Sequence, residues 1–257
     1  MNTTTRSADP ALVKPALDHS TAMRLARHEY HLMAETLASL TDDDWALPTE
    51  CSAWDVRQMG CHMVGMASMA TSPFEQRRQQ NLVRAEVAAR GTDPLDALTG
   101  LQVSERADWS PAEVVAGARN VGPKAARARR LTPGFVRRRR FPAPQHLNGR
   151  DEFWSVGFLT EVILTRDPWM HRMDIAHATR REPVLTAEHD GRIVADVVAE
   201  WARRHDAAYR LTLTGAAGGS WSAGERGEEI SMDAVEFCRV LSGRGDGSGL
   251  LMVEVPF

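Results

Sequence analysis

The chain has 257 residues, 43% hydrophobic and 25% charged, with a formal net charge of −3. That balance suits a folded globular protein, excludes disorder and collagen-like repeats, and gives no electrostatic case for nucleic acid as a partner. No run of about eighteen uncharged apolar residues occurs, and the first residues lack the apolar stretch of a signal peptide, so a cytoplasmic protein with no membrane partner is expected. Cys51, Cys61 and Cys238 show no CxxC spacing, which leaves any metal to histidines and carboxylates. Only Lys14 and Lys124 are lysine among the 31 basic residues, a bias expected of a high-GC bacterium.

Residues 1–15 read as a loose leader. From His19 to Leu40 the apolar spacing predicts a helix, closed by the acidic turn Thr41-Asp42-Asp43-Asp44-Trp45. Ser52 is a candidate N-cap for a second helix over 53–72, which carries Trp54, Met59, Met63 and Met66. Residues 75–131 hold polar helical pieces broken at Gly91–Pro94 and Ser110-Pro111, where a capping residue precedes proline. Prolines, glycines and the basic run Arg137–Arg140 predict a loop over 132–150. The apolar stretch from Phe153 to Ile175 predicts a deeply buried helix bent at Pro168. Thr186–His205 is an amphipathic helix, Tyr209–Thr214 alternates as a strand, Glu229-Ile230 is strand-like, Ser231 is a candidate cap for a helix through Leu241, and Leu250–Val255 is strand-like. The pattern predicts an α+β protein, with an all-α domain over 1–182 and a small α/β domain over 183–257.

Asp167 and His171 stand four apart, which on a helix places both on one face, where they can meet one cation. The alternative is that Asp167 caps a helix beginning at Pro168. Asp174 either hydrogen-bonds the second ring nitrogen of His171 or lies on the surface. His62 lies among methionines and is either a hydrogen-bonded core histidine or a ligand; its neighbour Cys61 points away around the helix and reads as a packed thiol. His28-Glu29-Tyr30-His31 spaces its histidines three apart and lacks HExxH, so both are expected on the surface. Arg137–Arg140 could attract a phosphate or a carboxylate, but it lacks interleaved aromatics and is read in preference as a solvated loop. Gly243-Arg244-Gly245-Asp246-Gly247 is neither a P-loop nor a dinucleotide fingerprint, and no G-x-S-x-G elbow occurs.

Leu40–Trp45, Pro48-Thr49, Trp54-Asp55-Val56-Arg57 and His62, followed by Thr165–Ile175, resemble two signatures of the mycothiol-dependent maleylpyruvate isomerase family. Trp221 and the stretch Asp233–Arg244 are similar to its C-terminal domain. The resemblance runs in order along nearly the whole chain. It implies a DinB-like four-helix bundle, residues 1–182, followed by a sterol-carrier-like α/β domain. It also implies a divalent metal, zinc first, on His62, Asp167 and His171, with mycothiol as the second cofactor and Arg244 as the residue that meets substrate carboxylate or enolate. Asp167 stands where the family usually has Glu, and Gln58 where an acidic residue is common. Glu161 is the obvious substitute ligand, but it lies ten residues before His171, about 15 Å along a straight helix, so Asp167 is preferred.

The implied function is isomerisation or S-transfer on a small electrophile by a metal-activated thiol, in a monomer or homodimer. Three protein ligands on zinc leave one position open, the mark of a catalytic site. Two alternatives remain: a hydrolase using metal-bound water, and a non-catalytic metal or thiol binding module.

Overall fold

The computed structural model describes residues 12–257, so most of the expected leader lies outside the described residues. The chain opens with β1 (Leu12–Val13) and the long helix α1 (His19–Ala38), capped by Asp18, whose side chain accepts from Thr21 N. After a 3₁₀ turn at Asp42–Ala46 comes α2 (Val56–Met69). Its cap is Asp55, not Ser52: Asp55 accepts from Gln58 N at 2.7 Å while Gln58 Oε1 accepts from Asp55 N at 2.9 Å. This reciprocal box satisfies two orphan donors at once, which Ser52 could not do. Gln58 is thereby a capping residue.

The polar stretch resolves into α3 (Pro73–Arg90), α4 (Pro94–Ser104) and α5 (Pro111–Arg130), each with proline in its first turn behind a Ser or Asp cap. The expected loop contains a short helix α6 (Gly134–Arg137), strand β2 (Gln145–Leu147) and the start of β3 (Arg150–Trp154). The helix expected over 153–175 therefore begins later. Phe153-Trp154 continue the strand, a place aromatic residues favour, and a π-helical turn spans Phe158–Ile163 before α7 (Leu164–Thr179). Pro168 sits inside α7 and cannot donate to Leu164 O. Arg129 of α5 donates instead, to Leu164 O at 2.9 Å, Thr160 O at 2.7 Å and Thr165 Oγ1 at 2.6 Å. One guanidinium thus satisfies carbonyls that the proline and the π-turn leave free.

Helices α1, α2, α5 and α7 pack around a core that includes Tyr30, Met33, Met59, Met63, Ala118 and Ile175. Beyond α7 come α8 (Asp190–His205), β4 (Tyr209–Thr214), β5 (Gly219–Ala223), β6 (Glu228–Asp233) and α9 (Ala234–Leu241). Strand β4 is central, antiparallel to β5 and parallel to β6. Ser231 lies within β6, and Asp233 caps α9 by accepting from Val235 N and Glu236 N. The expected last strand is absent: Gly249, at φ +57°, starts a 3₁₀ turn over Gly249–Met252, and the left-handed backbone there breaks an extended run.

Trp169, Met170 and Met173 of α7 join Val197, Trp201 and Phe237 in a second core. Helix α7 is therefore covered on every side, and from Leu164 to Ile175 only Asp167 keeps partial exposure. Burial of its neighbours fixes the direction of each side chain that α7 contributes to the site.

Close helix approach depends on Gly65 of α2. A Cβ there would lie 2.5 Å from Gln102 Cβ and 2.7 Å from Gln102 Cγ of α4. Gly65→Ala is expected to force α4 outward and destabilise the protein by about 1–3 kcal/mol, the usual range for overpacking. Urea unfolding measures this.

Candidate metal centre

His62 comes from the middle of α2, Asp167 and His171 from successive turns of α7, and one ligand atom of each lies within 4.8 Å of the others. Asp167 follows three helical residues, so it does not cap a helix at Pro168. Asp167 Oδ1 stands 3.6 Å from His62 Nε2 and 3.4 Å from His171 Nε2, beyond ordinary hydrogen-bond length. Asp167 Oδ2 is buried without a partner.

The other ring nitrogens explain why the two Nε2 atoms face the carboxylate. His62 Nδ1 donates to Gln102 Oε1 at 2.9 Å, and the Gln102 amide donates onward to Gln79 Oε1 at 3.0 Å. His171 Nδ1 donates to Asp174 Oδ2 at 3.0 Å. With protons placed on both Nδ1 atoms, the Nε2 lone pairs and the Asp167 oxygens converge with no donor among them. Such a set calls for a cation, and histidines oriented by a second hydrogen bond to a carboxylate or amide are the usual form of a metal site. Two imidazoles and a carboxylate fit a borderline divalent ion, zinc among them.

The electrostatics agree. Burial alone would suppress ionisation of the His171 imidazole, yet the charge of Asp167 pushes it up to about 9. Burial also works against the Asp167 carboxylate, but His171 and His62 beside it hold it well below the usual carboxylate range. Without an ion, the cluster fills its need for positive charge with a proton.

Trp54 covers the site, its ring 4.9 Å from that of His62 and 6.3 Å from that of His171. The turn that presents Trp54 is closed by Trp54 N donating to Cys51 O and by a bridge between Pro48 and Asp55. The same turn brings the Cys51 thiol within 4.8 Å of ligand atoms of His171 and Asp174. Burial, then the Asp174 charge, raises the Cys51 thiol above its ordinary value. Cys61 is buried at its own contact, with Sγ 3.6 Å from Arg106 O, and takes no part.

Arg244 reaches the site from beyond α9, whose end is turned by Gly243 at φ +79°. Its Nε and Nη2 donate to the two oxygens of Asp174 at 2.8 and 2.9 Å, and Nη1 to Ser242 Oγ at 3.2 Å. Asp174 is fully buried and holds both His171 and Arg244. Burial opposes its ionisation, but His171 and Arg244 keep it below the ordinary value. Glu161 is engaged elsewhere, with His19 at 2.8 Å and Arg137 at 2.7 Å. Arg137 thus pairs with a carboxylate, the less favoured of the two readings of its basic run.

Sequence patterns miss Gln102 and Cys51. Gln102 is buried on a helix with no marked apolar face, and Cys51 lies in a turn; neither bears a spacing that links it to His171.

Asp174→Asn keeps the shape of the side chain but loses the charge that pairs with His171 and Arg244. Metal affinity is expected to fall about 10–100-fold, the range for losing such an orienting partner, as read by competition with a chromogenic chelator.

No curated protein sequence matches the chain. Among solved structures, it is similar to the mycothiol-dependent maleylpyruvate isomerase, at 15% identity and a TM-score of 0.55 over 93% of this chain and 95% of that one. It is also similar to a histidine-to-alanine mutant of that enzyme, at 14% identity and a TM-score of 0.54 over 89% and 90% of the two chains. At such identities the likeness is one of fold. The family model of the mycothiol maleylpyruvate isomerase N-terminal domain matches residues 26–176, more than half of the chain, and the protein belongs to that family.

Proposed function

We propose that the protein is a metal-dependent enzyme that uses mycothiol, or a closely related low-molecular-weight thiol, against a small electrophilic substrate, with an isomerisation or S-transfer as the outcome. The observation that carries this is the convergence of His62 Nε2, His171 Nε2 and the Asp167 carboxylate, whose Oδ1 lies 3.6 and 3.4 Å from the two nitrogens and whose buried Oδ2 has no partner. These three residues would hold the ion. When bound, the ion favours thiolate over thiol, and the thiol supplies the nucleophile for reversible addition to a double bond conjugated to a carbonyl.

The chain's own residues prepare that chemistry. Gln102 and Asp174 lock the two imidazoles in one tautomer, so that binding an ion requires no ring reorientation. Trp54 and the Cys51 turn shield the histidines from water on one side. Arg244 is anchored by two nitrogens to Asp174, which makes it first a positioning residue. Its Nη1 donates only to Ser242 Oγ and keeps a second N–H for a substrate carboxylate or enolate oxygen. Residues 183–257 would serve the site through this contact. Among the described residues no helix is long and apolar enough to cross a membrane.

The test is turnover of a panel of small α,β-unsaturated keto acids, maleylpyruvate among them, by zinc-loaded protein with and without mycothiol. Turnover that requires the thiol supports the proposal. Equal rates in thiol-free buffer would overturn it in favour of hydrolysis by bound water.

A further inference from the structure

Asp174 is faced by two guanidinium groups, and only one of them holds it. Arg244 donates to both of its oxygens, whereas Arg239, in the last turn of α9, brings Nη1 to 4.0 Å from Asp174 Oδ1. That is about 1 Å beyond hydrogen-bond length. Arg239 Nη1 is buried and has no hydrogen-bond partner among the described residues, in a side chain only 11% exposed. An unused donor this close to a buried carboxylate calls for an explanation.

The other contacts of Arg239 restrain it only weakly. Nη2 donates to Glu50 Oε1 at 3.0 Å and Nε to Glu236 Oε2 at 3.1 Å. Glu50 also meets His177 Nδ1 at 2.7 Å, so it keeps a partner if Arg239 lets go. Glu236 is half exposed, and an ion pair in that setting contributes little. Arg244, for its part, lines a cavity of about 200 Å³ with Leu147, Ser242 and Phe257, which gives its guanidinium room to turn. Its Nε and Nη2 are on Asp174 and its Nη1 is on Ser242, so an anion gripped by two of its nitrogens competes with Asp174 for the group. We propose that Arg239 is a positioning residue that relieves Arg244: when a substrate carboxylate or enolate draws Arg244 into this cavity, Arg239 Nη1 closes on Asp174 Oδ1.

The exchange solves a difficulty that a single arginine leaves open. Asp174 is fully buried, and a carboxylate there that lost its guanidinium would be an uncompensated charge, which is strongly destabilising. With Arg244 alone, every movement toward a substrate anion would strand it. With a second guanidinium in reserve, Asp174 stays paired, keeps its bond with His171 Nδ1 and leaves that imidazole oriented while Arg244 is engaged elsewhere. Arg239 also ties to Glu50 in the turn that carries Cys51 and Trp54, so the exchange would be felt at the cover of the metal centre. The part played by the substrate rests on the function proposed above; the contact between Arg239 and Asp174 does not.

The test is a double-mutant cycle on the full-length protein, read by urea unfolding. Arg244→Met and Arg239→Met should each leave a folded protein, because the other arginine serves Asp174. The double variant should lose at least about tenfold more in its folding equilibrium constant than the product of the two single losses. Glu50→Gln weakens the other anchor of Arg239 and should combine with Arg244→Met without any such excess. A crystal structure of Arg244→Met should show Arg239 Nη1 at about 3 Å from Asp174 Oδ1, and it decides the contact if the double variant does not fold. For the role of the substrate, maleate is the probe: in a calorimetric titration Arg239→Met should bind it at least about tenfold more weakly than the wild type, whereas Glu50→Gln should not weaken it. Simple additivity in the first cycle, an unmoved Arg239 in the Arg244→Met crystal, or unchanged maleate affinity in Arg239→Met would overturn the proposal. Absence of maleate binding to the wild type would count against the function proposed above, and the cycle and the crystal structure would still decide the exchange.

Discussion

Asp167→Ala is expected to empty the metal centre and reduce turnover by more than about 100-fold while the helical fold persists. Loss of a partner that merely orients a ligand costs about 10–100-fold in metal affinity or activity, and Asp167 is itself a ligand in the proposed set. Alanine is the best helix former, and Asp167 is the one residue of the buried run in α7 that keeps partial exposure. Its removal therefore leaves no uncompensated core. His62→Ala should likewise empty the centre, at some added cost in stability because it leaves the buried Gln102 carbonyl without its histidine partner. Elemental analysis of the purified variants, with circular dichroism as the control for folding, decides the matter. Full occupancy in either variant would remove that residue from the ligand set.

Arg172→Met is expected to give the largest loss of stability, about 3–5 kcal/mol, because it strands buried carboxylates that one guanidinium now serves. Arg172 pairs with Glu29 at 2.9 Å and with Asp190 at 2.6 Å, and all three side chains are almost fully buried. Asp190 also accepts from Trp169 Nε1 and Thr186 N, so the pair ties α1, α7 and α8 together. The pH dependence has a definite sign. Burial alone would raise the Asp190 carboxyl, but Arg172 outweighs it and holds the group below its ordinary value. A carboxyl depressed in the fold contributes stability that is fully present above its unfolded value of about 3.9 and is lost as pH falls through the folded value. The wild type should therefore lose stability as pH drops below about 4. In Arg172→Met that acid-side loss should be much smaller, because the attraction that created it is gone. Urea unfolding between pH 3 and 7 would show it; parallel stability curves for the two proteins would refute the assignment.

The helices were legible where an apolar stripe or a capping residue before proline marks them, as in α1, α5 and α8. The convergence of Asp167 and His171 on one face of α7 was visible because four-residue spacing is a local property. His62 was visible only beside the family resemblance, since a histidine among methionines reads equally well as core. Gln102 and Cys51 escaped because their roles depend on contacts between segments about 40 and 120 residues apart in the chain. The boundary of α7 escaped for another reason. A π-turn leaves no distinct pattern in an apolar run, and the donor that stabilises it, Arg129, looks like any other arginine in a basic helix end. The last strand failed because alternation alone does not supply a partner strand, and both sides of β4 are already taken by β5 and β6.

The π-turn over Phe158–Ile163 also makes the chain unequally tolerant of changes in length. A π-turn carries one residue more than an α-turn along nearly the same path. Deleting one residue there would let the segment relax to α geometry along that same path, so the segment upstream keeps its place and Asp167 and His171 keep their phase toward His62. The burden would fall on Trp154 and Phe158, whose rings pack together at 5.3 Å, and on the anchoring of Glu161 by Arg137. A single-residue insertion or deletion between Asp167 and His171 has no such reservoir, and it would turn one of the two ligands away from the other. Relatives of this chain can accordingly differ by one residue before α7 and keep the centre, but not within its first two turns.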